Sequence, residues 1–191
     1  MTTNTARDLT LRLALEDDLA ALGELMRVAI GQLQGPFLTP EQIAASFSIM
    51  GLDTQLVADR TYFLVEAGDR IAGCGGWSRR ATLFGGDHTL NRDAALLDPA
   101  RDAARVRAMY THPDFTRRGV GRMILLACEA AAAAAGFRRC ELAATLAGEP
   151  LYRACGYQQI ERFDSDTPQG VTVPLVRMGK RLGDRPGHGE G

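Results

Sequence analysis

Residues 105–157 read RVRAMYTHPDFTRRGVGRMILLACEAAAAAAGFRRCELAATLAGEPLYRACGY and carry the most informative pattern in the chain. The segment predicts a strand that ends near Thr111, a long helix from about Gly119 to Gly136, and a second strand that begins at Arg138. A single helix that carries the chain from one strand to the next favours a parallel pair of strands. We therefore expect a mixed α/β fold around this unit.

An anion site is predicted where the long helix begins. Gly119 and Gly121 have no Cβ that would keep a ligand away from the backbone, and the first N–H groups of a helix lack internal partners. The helix dipole adds positive charge there, as do the side chains of Arg117, Arg118 and Arg122. A diphosphate would suit such a site. The alternative is a tight turn with solvated arginines.

Two common nucleotide-binding motifs do not match this turn. A dinucleotide fingerprint needs a third small residue where the chain has Ile124, and its glycines follow the strand directly. Here residues 111–118 intervene. A Walker-type loop needs Gly-Lys-Ser/Thr, which the sequence lacks.

The order of these motifs resembles the GNAT superfamily of N-acyltransferases. In that family a strand ending in hydrophobic-aromatic-x-His/x-Pro leads into (Gln/Arg)-x-x-Gly-x-(Gly/Ala) on a helix, and a later segment reads Tyr-x-x-x-Gly-(Phe/Tyr). Residues 109–113 (MYTHP), 116–121 (TRRGVG) and 151–157 (LYRACGY) follow these patterns. Two positions depart, because Thr116 replaces the Gln/Arg and Thr145 stands where the family often has Asn. The motifs cover about the C-terminal half, and the N-terminal half fits by its order of elements.

The resemblance implies acetyl-CoA as co-substrate and direct transfer of its acetyl group to a primary amine in a ternary complex. It implies that backbone groups of Met109, Tyr110 and Thr111 bind the pantetheine and thioester. It places the diphosphate on the segment made of Arg117, Arg118, Gly119, Val120, Gly121 and Arg122. Tyr152 is implied to protonate the departing CoA thiolate, and a ring that only packs on the pantetheine is the alternative. Because of Thr145, a non-catalytic acyl-CoA-binding sensor is the alternative function.

The acceptor amine must lose a proton before it can attack, since an alkylammonium is not a nucleophile. Glu141, Asp87 and His112 are candidate bases acting through water, with a surface role as the alternative for each. A covalent route through Cys155 is disfavoured because no histidine is adjacent to activate the thiol. The acceptor itself cannot be read from these residues.

The whole chain predicts one α/β domain over residues 1–182, because 191 residues with 46% hydrophobic content suffice for one core. Its expected sheet has about seven mostly antiparallel strands and flanking helices. By the resemblance, the two central strands, 104–111 and 138–145, run parallel and splay apart. The polar, glycine-rich residues 183–191 are expected to form a disordered tail.

Residues 81–103 show neither helical nor strand periodicity, which predicts a structureless loop. Such a loop is either a binding lid or a solvated insertion. Asp87 and His88 are its residues best suited to meet an acceptor amine. Trp77, in the strand before it, is expected to lie in the core or at a rim.

Composition excludes several classes of function. A net charge of −1 argues against a nucleic-acid binder. No apolar run approaches about 20 residues and the N-terminus lacks a signal pattern, so we expect a cytoplasmic protein without a membrane partner. Four scattered cysteines and three histidines predict no metal site. A homodimer is compatible with these features.

Overall fold

The computed structural model describes residues 9–90 and 92–183 as a seven-stranded sheet in the order β1–β2–β3–β4–β5–β7–β6, flanked by helices. The strands are β1 Leu9–Leu13, β2 Tyr62–Ala67, β3 Arg70–Ser78, β4 Ala104–Thr111, β5 Arg139–Thr145, β6 Gln158–Ser165 and β7 Val173–Arg181. The helices are α1 Leu19–Leu33, α2 Pro40–Ser46, α3 Thr54–Ala58, α4 Val120–Ala134 and α5 Glu149–Ala154. The predicted fold class is confirmed. The predicted tail lies outside the described residues except for Gly183.

Each face of the sheet packs against helices through its own hydrophobic cluster. The cluster under α4 includes Val65, Val106, Ile124, Leu125, Leu142 and Val176. The cluster under α1, α2 and α3 includes Leu22, Met26, Ile49, Leu56, Leu64 and Leu175. Each cluster contains residues of β2 and of β7, which lie in opposite halves of the sheet, so side-chain packing joins the two halves.

Local signals set the helix ends. At the start of α2, Thr39 Oγ1 accepts a hydrogen bond from the Gln42 backbone N–H at 3.2 Å, and the Gln42 side chain accepts one from Thr39 N–H at 3.1 Å. This reciprocal cap satisfies two helix donors, and Pro40 follows in the first helical position. At the far end of α4, Gly136 takes a φ of +93°, which suits a helix terminus.

Glycines in β3 leave room for the first turn of α4 and for a side chain of β4. A Cβ at Gly73 would fall 2.5 Å from Val120 Cγ1, and one at Gly75 would fall 2.1 Å from Met109 Sδ. No side chain fits in that space. These glycines therefore fix the position of the first turn of α4 beside β4.

The parallel strands separate soon after they begin. Only Ala104 with Cys140 and Arg105 with Glu141 are paired between β4 and β5. Ala108 then takes a φ of +51°, and the register of β3 against β4 shifts between Cys74 and Gly76. Such a bulge re-aims a strand. The remainder of β4 has an edge that β5 does not cover.

The described residues within 81–103 form no helix or strand, as predicted, although one isolated β-bridge, Arg80 with Leu96, and several backbone hydrogen bonds join the two arms of the segment. The backbone N–H of Ala81 donates to Ala95 O at 2.9 Å, and that of Thr82 donates to Asp93 O at 2.8 Å. We call residues 79–97 the insertion hairpin; its Asn91 lies outside the described residues. These few hydrogen bonds order the segment without forming a regular element, which agrees with the lack of periodicity in its sequence.

Two further expectations can be compared with the fold. Trp77 is 4% exposed, and its ring lies 6.1 Å from that of Phe137, so it belongs to the core. Over the residues described, no helix is both long enough and apolar enough to cross a bilayer.

Candidate active site

The N-terminus of α4 is open and positively charged. Gly119, with a φ of +82°, precedes the helix, and no side chain caps its first N–H groups. Arg117, Arg118 and Arg122 are exposed around it. The first turn contains no acidic residue, and the preceding acid in the sequence, Asp114, is paired with Arg70 at 2.7 Å. The arrangement can bind a polyanion through backbone and side-chain donors.

The start of α4 adjoins the end of β4 and α5. A Cβ at Gly121 would lie 2.7 Å from Leu151 Cδ2 and 3.7 Å from Thr111 Oγ1. Gly121 therefore serves close packing between α4 and α5. The same packing brings the predicted diphosphate segment next to Thr111, the last residue of β4.

A cavity of about 100 Å³ lies in the gap between β4 and β5. We call it the inner cavity. It is lined by Ile49, Met50, Leu83, Phe84, Gly85, Val106, Arg107, Ala108, Met109, Tyr110, Ala143, Thr145, Gly148, Tyr152 and Leu175. Three residues predicted from the sequence, Met109, Tyr110 and Tyr152, thus meet around one space.

Tyr152 is held in that wall by α5. The residue is 7% exposed, and its ring meets that of Tyr157 edge to face at 5.9 Å. Glu149, at the start of α5, accepts hydrogen bonds from Arg153 at 2.6 Å and from Arg162 at 2.9 Å, which ties the helix to β6. Burial raises the pKa of Tyr152, so the phenol keeps its proton near neutral pH.

Arg107 is a site residue that sequence reasoning missed. It is 3% exposed, lines the inner cavity and forms an ion pair with the fully buried Asp53. Asp53 also accepts from Arg92 at 2.9 Å. Burial lowers the pKa of Arg107, while Asp53 opposes that shift. The available signal was a charged residue inside a predicted central strand, but its partner is 54 residues away in the chain.

The three candidate bases lie elsewhere, and none of them lines the inner cavity. Glu141 binds Arg105 at 2.6 Å and Arg177 at 2.7 Å. Burial would raise the pKa of Glu141, but these two arginines hold it below its usual value. Asp87 accepts from the Thr54 backbone N–H at 3.1 Å, and His112 Nδ1 accepts from the Asp114 backbone N–H at 3.2 Å.

A larger cleft of about 730 Å³ adjoins the inner cavity and shares Ile49, Leu83 and Phe84 with it. We call it the outer cleft. The insertion hairpin forms one wall, and residues 165–168, from the end of β6 into the turn that follows, form another. His88 lies in its wall with Nε2 2.7 Å from Phe47 O, so that nitrogen is engaged.

Among the residues that the structure describes, His, Cys, Asp and Glu form no group of three that could hold a metal ion.

Comparison with known proteins identifies the architecture. Residues 58–159 match the model of the Acetyltransferase (GNAT) domain. No curated protein sequence matches the chain significantly. Among solved structures, a GCN5-related N-acetyltransferase from Rhodopseudomonas palustris superposes with a TM-score of 0.66 at 20% identity, covering 91% of this chain and 95% of that one.

Two similar structures were solved with coenzyme. PaiA N-acetyltransferase from Thermoplasma acidophilum, in complex with coenzyme A, has a TM-score of 0.61 at 15% identity and covers 91% of this chain and 99% of that one. YncA from Salmonella typhimurium, with acetyl-CoA, has a TM-score of 0.61 at 16% identity and covers 94% and 96%. These likenesses concern the fold.

Proposed function

Since this chain belongs to the GNAT family of acetyltransferases, we propose that it is an N-acetyltransferase that moves the acetyl group of acetyl-CoA to a primary amine. The amine attacks directly, in a ternary complex. The observation that carries the proposal is the gap between β4 and β5, because the inner cavity there is lined by Tyr152 and by β4 as far as Tyr110, and the next residue, Thr111, lies beside the open N-terminus of α4. We also propose that residues 1–182 act as one domain.

The donor would bind along α4 and β4. The diphosphate meets the N–H groups of Val120 and Gly121 and the side chains of Arg117, Arg118 and Arg122. An exposed cationic cluster without acidic residues in the helix turn supports this assignment. The pantetheine continues along Met109, Tyr110 and Thr111, whose edge β5 leaves uncovered.

The chemistry proposed is a positioned attack on the thioester. Holding both substrates in one cleft replaces a bimolecular encounter with a unimolecular step. The carbonyl oxygen gains charge as the amine adds, and a backbone N–H near Met109 or Tyr110 stabilises it. The C–S bond then breaks, and Tyr152 gives its proton to the departing thiolate. The raised pKa of Tyr152 keeps the phenol protonated near neutral pH.

The acceptor would enter from the outer cleft. This space is large and joins the inner cavity through shared walls at Ile49, Leu83 and Phe84. The insertion hairpin forms one side of it, so we propose that this hairpin shapes acceptor choice.

The first test combines binding and turnover. CoA, acetyl-CoA and desulfo-CoA should each raise the melting temperature. A ligand at about 100 times its Kd stabilises by about 2.7 kcal/mol, or on the order of 5–10 °C for a chain of this size. A thiol-release assay over amines, amino acids, polyamines, aminoglycosides and peptides should then reveal turnover. Binding of CoA without turnover of any amine would favour the alternative function, a non-catalytic acyl-CoA-binding sensor. The absence of a thermal shift at millimolar ligand would contradict the proposal that acetyl-CoA is the donor.

A further inference from the structure

Arg107 has hydrogen-bond donors to spare at the wall of the inner cavity. A guanidinium carries five N–H donors. Arg107 Nη2 donates to Asp53 and, at 3.2 Å, to the backbone oxygen of Gly85. Its Nε is buried without a hydrogen-bond partner, and Nη1 makes no hydrogen bond within residues 9–90 and 92–183. A buried N–H without an acceptor is destabilising, and a ligand oxygen beside Arg107 would supply that acceptor.

The charges around Arg107 are already balanced. Arg107 and Arg92 carry two positive charges, and Asp53 and Asp87 carry two negative ones, all in one connected network. A carboxylate placed beside Arg107 would add an unpaired negative charge to this partly buried group. A neutral carbonyl oxygen would accept the hydrogen bond without that cost.

The wall of the inner cavity, as far as the structure describes it, offers no carboxylate or imidazole that could take a proton from an amine. Its ionisable residues are Arg107, Tyr110 and Tyr152. Burial raises the pKa of both tyrosines, so neither is available as a phenolate near neutral pH. Tyr110 Oη is also engaged, because it accepts from the Gly51 backbone N–H at 3.0 Å. An acceptor would therefore have to arrive largely neutral.

Amines differ widely in how much neutral form they provide. At pH 7.5 an alkylammonium of pKa about 10.4 is about one part in a thousand neutral, whereas an α-amine next to a peptide carbonyl, with a pKa of about 7.7–8.0, is roughly 30% neutral. The second kind needs no base from the protein. It also carries a carbonyl oxygen three bonds from its nitrogen, within reach of a donor beside the reaction centre.

We propose that the acceptor is an α-amine with a neutral carbonyl on the adjacent carbon, as in an aminoacyl amide, and that Arg107 donates a hydrogen bond to this carbonyl oxygen. This inference rests on the proposed acetyl transfer. The ammonium proton leaves to solvent before attack. The nitrogen lone pair then forms the new N–C bond, the C–S electron pair goes to sulfur, and Tyr152 supplies the thiolate with a proton. The nitrogen loses its surplus proton to water, and water returns a proton to the Tyr152 phenolate. The outer cleft holds the rest of the acceptor.

A matched pair of acceptors tests the inference. L-leucinamide and isoamylamine differ only by the carboxamide, and L-leucine replaces that carboxamide with a carboxylate. For each, kcat/KM is measured by thiol release and expressed per concentration of neutral amine, which removes the effect of amine pKa. We expect leucinamide to exceed isoamylamine by on the order of tenfold or more, as for a hydrogen bond from a charged donor. Leucine should fall below leucinamide.

The protein side of the test uses a charge-neutral exchange. The double substitution Asp53→Asn with Arg107→Gln removes the guanidinium without leaving a buried unpaired carboxylate, and the leucinamide preference should fall toward one. The control is Asp59→Asn with Arg80→Gln, which removes another Asp–Arg pair, joined at 2.8 Å, that lies outside the inner cavity. This control should retain the preference. A CoA-induced rise in melting temperature shows that each variant is folded.

The outcomes separate the two levels of proposal. Equal rates per neutral amine for leucinamide and isoamylamine in the parent would overturn the inference, and so would an unchanged preference in the Asp53/Arg107 variant. Leucine reacting faster than leucinamide would assign the Arg107 donors to a carboxylate instead. Turnover of other amines alone would refute only this inference. If the parent protein turned over no amine or did not bind acetyl-CoA, the proposed function and the inference would both be refuted.

Discussion

At the scale of single residues, two neighbouring tyrosines provide a comparison of hydroxyl roles. Tyr152 lines the inner cavity, whereas Tyr157 packs against its ring and lies outside that wall. Tyr157 Oη is buried without a hydrogen-bond partner within the described part of the chain. Of the two residues, only Tyr152 lines the inner cavity, where we propose that the thiolate leaves.

Tyr152→Phe keeps the ring and removes the proton. If Tyr152 is the general acid, kcat should fall by something on the order of 10²-fold, because the hydroxyl acts in the transition state, and the acetyl-CoA dissociation constant should barely change. Stopped-flow turnover and calorimetry measure the two quantities. Tyr157→Phe is the matched control and should keep the parent rate. A silent Tyr152→Phe would leave the residue with the packing role only.

At the scale of elements, α4 has two exposed basic groups at opposite ends. Arg118 and Arg122 flank its open N-terminus, where the dipole adds to their charge. Arg138 and Arg139 follow its C-terminus, and Arg139 donates to the backbone oxygen of Arg101 at 2.6 Å. The two arginine pairs carry equal charge, but only Arg118 and Arg122 lie beside the proposed CoA site.

Replacing both Arg118 and Arg122 with Gln should raise the CoA dissociation constant by about tenfold, since charge-assisted hydrogen bonds to phosphate are lost. The affinity should also become less sensitive to salt. Arg138→Gln with Arg139→Gln changes net charge equally and should leave CoA affinity close to the parent value. Calorimetry at two ionic strengths makes the comparison. An equal effect of both double variants would mean that overall charge, rather than a local cradle, attracts CoA.

Most elements could be predicted because their signals are local. The cap at Thr39, the glycines at the two ends of α4 and the alternating strands each act within a few residues. The site was only partly predictable. The pairing of Arg107 with Asp53 joins β4 to the start of α3 across 54 residues, and no local pattern encodes it. The positive φ of Ala108 and the insertion hairpin also depend on tertiary contacts.

At the scale of the whole molecule, buried thiols couple stability to pH. Burial raises the pKa of Cys74 and of Cys140 to about 12, and it raises that of Cys128 well above its ordinary value. An unfolded thiol titrates near pH 8.5. Because the folded pKa is raised, the stabilisation is fully present below pH 8.5 and is lost as pH rises toward 12.

The free energy of unfolding should therefore decline from about pH 8.5 to pH 10, by about 1.4 kcal/mol per pH unit for each such thiol. Cys140→Ala should remove one titrating thiol and so make the decline in the free energy of unfolding less steep by about 1.4 kcal/mol per pH unit. Urea titrations at several pH values, under reducing conditions, measure the slope. An unchanged slope in the variant would show that Cys140 does not contribute.

The early separation of β4 from β5 also bears on what happens after the reaction. Acetyl-CoA and spent CoA share the diphosphate and the pantetheine, so every contact proposed along α4 and the open edge of β4 is common to both. The protein would distinguish acetyl-CoA from free CoA only through contacts with the acetyl group in the inner cavity, a space of about 100 Å³. Free CoA should then compete with its acetylated form and leave slowly. The rate of acetylation by this protein would then depend on the cell's ratio of acetyl-CoA to free CoA more closely than on the concentration of either.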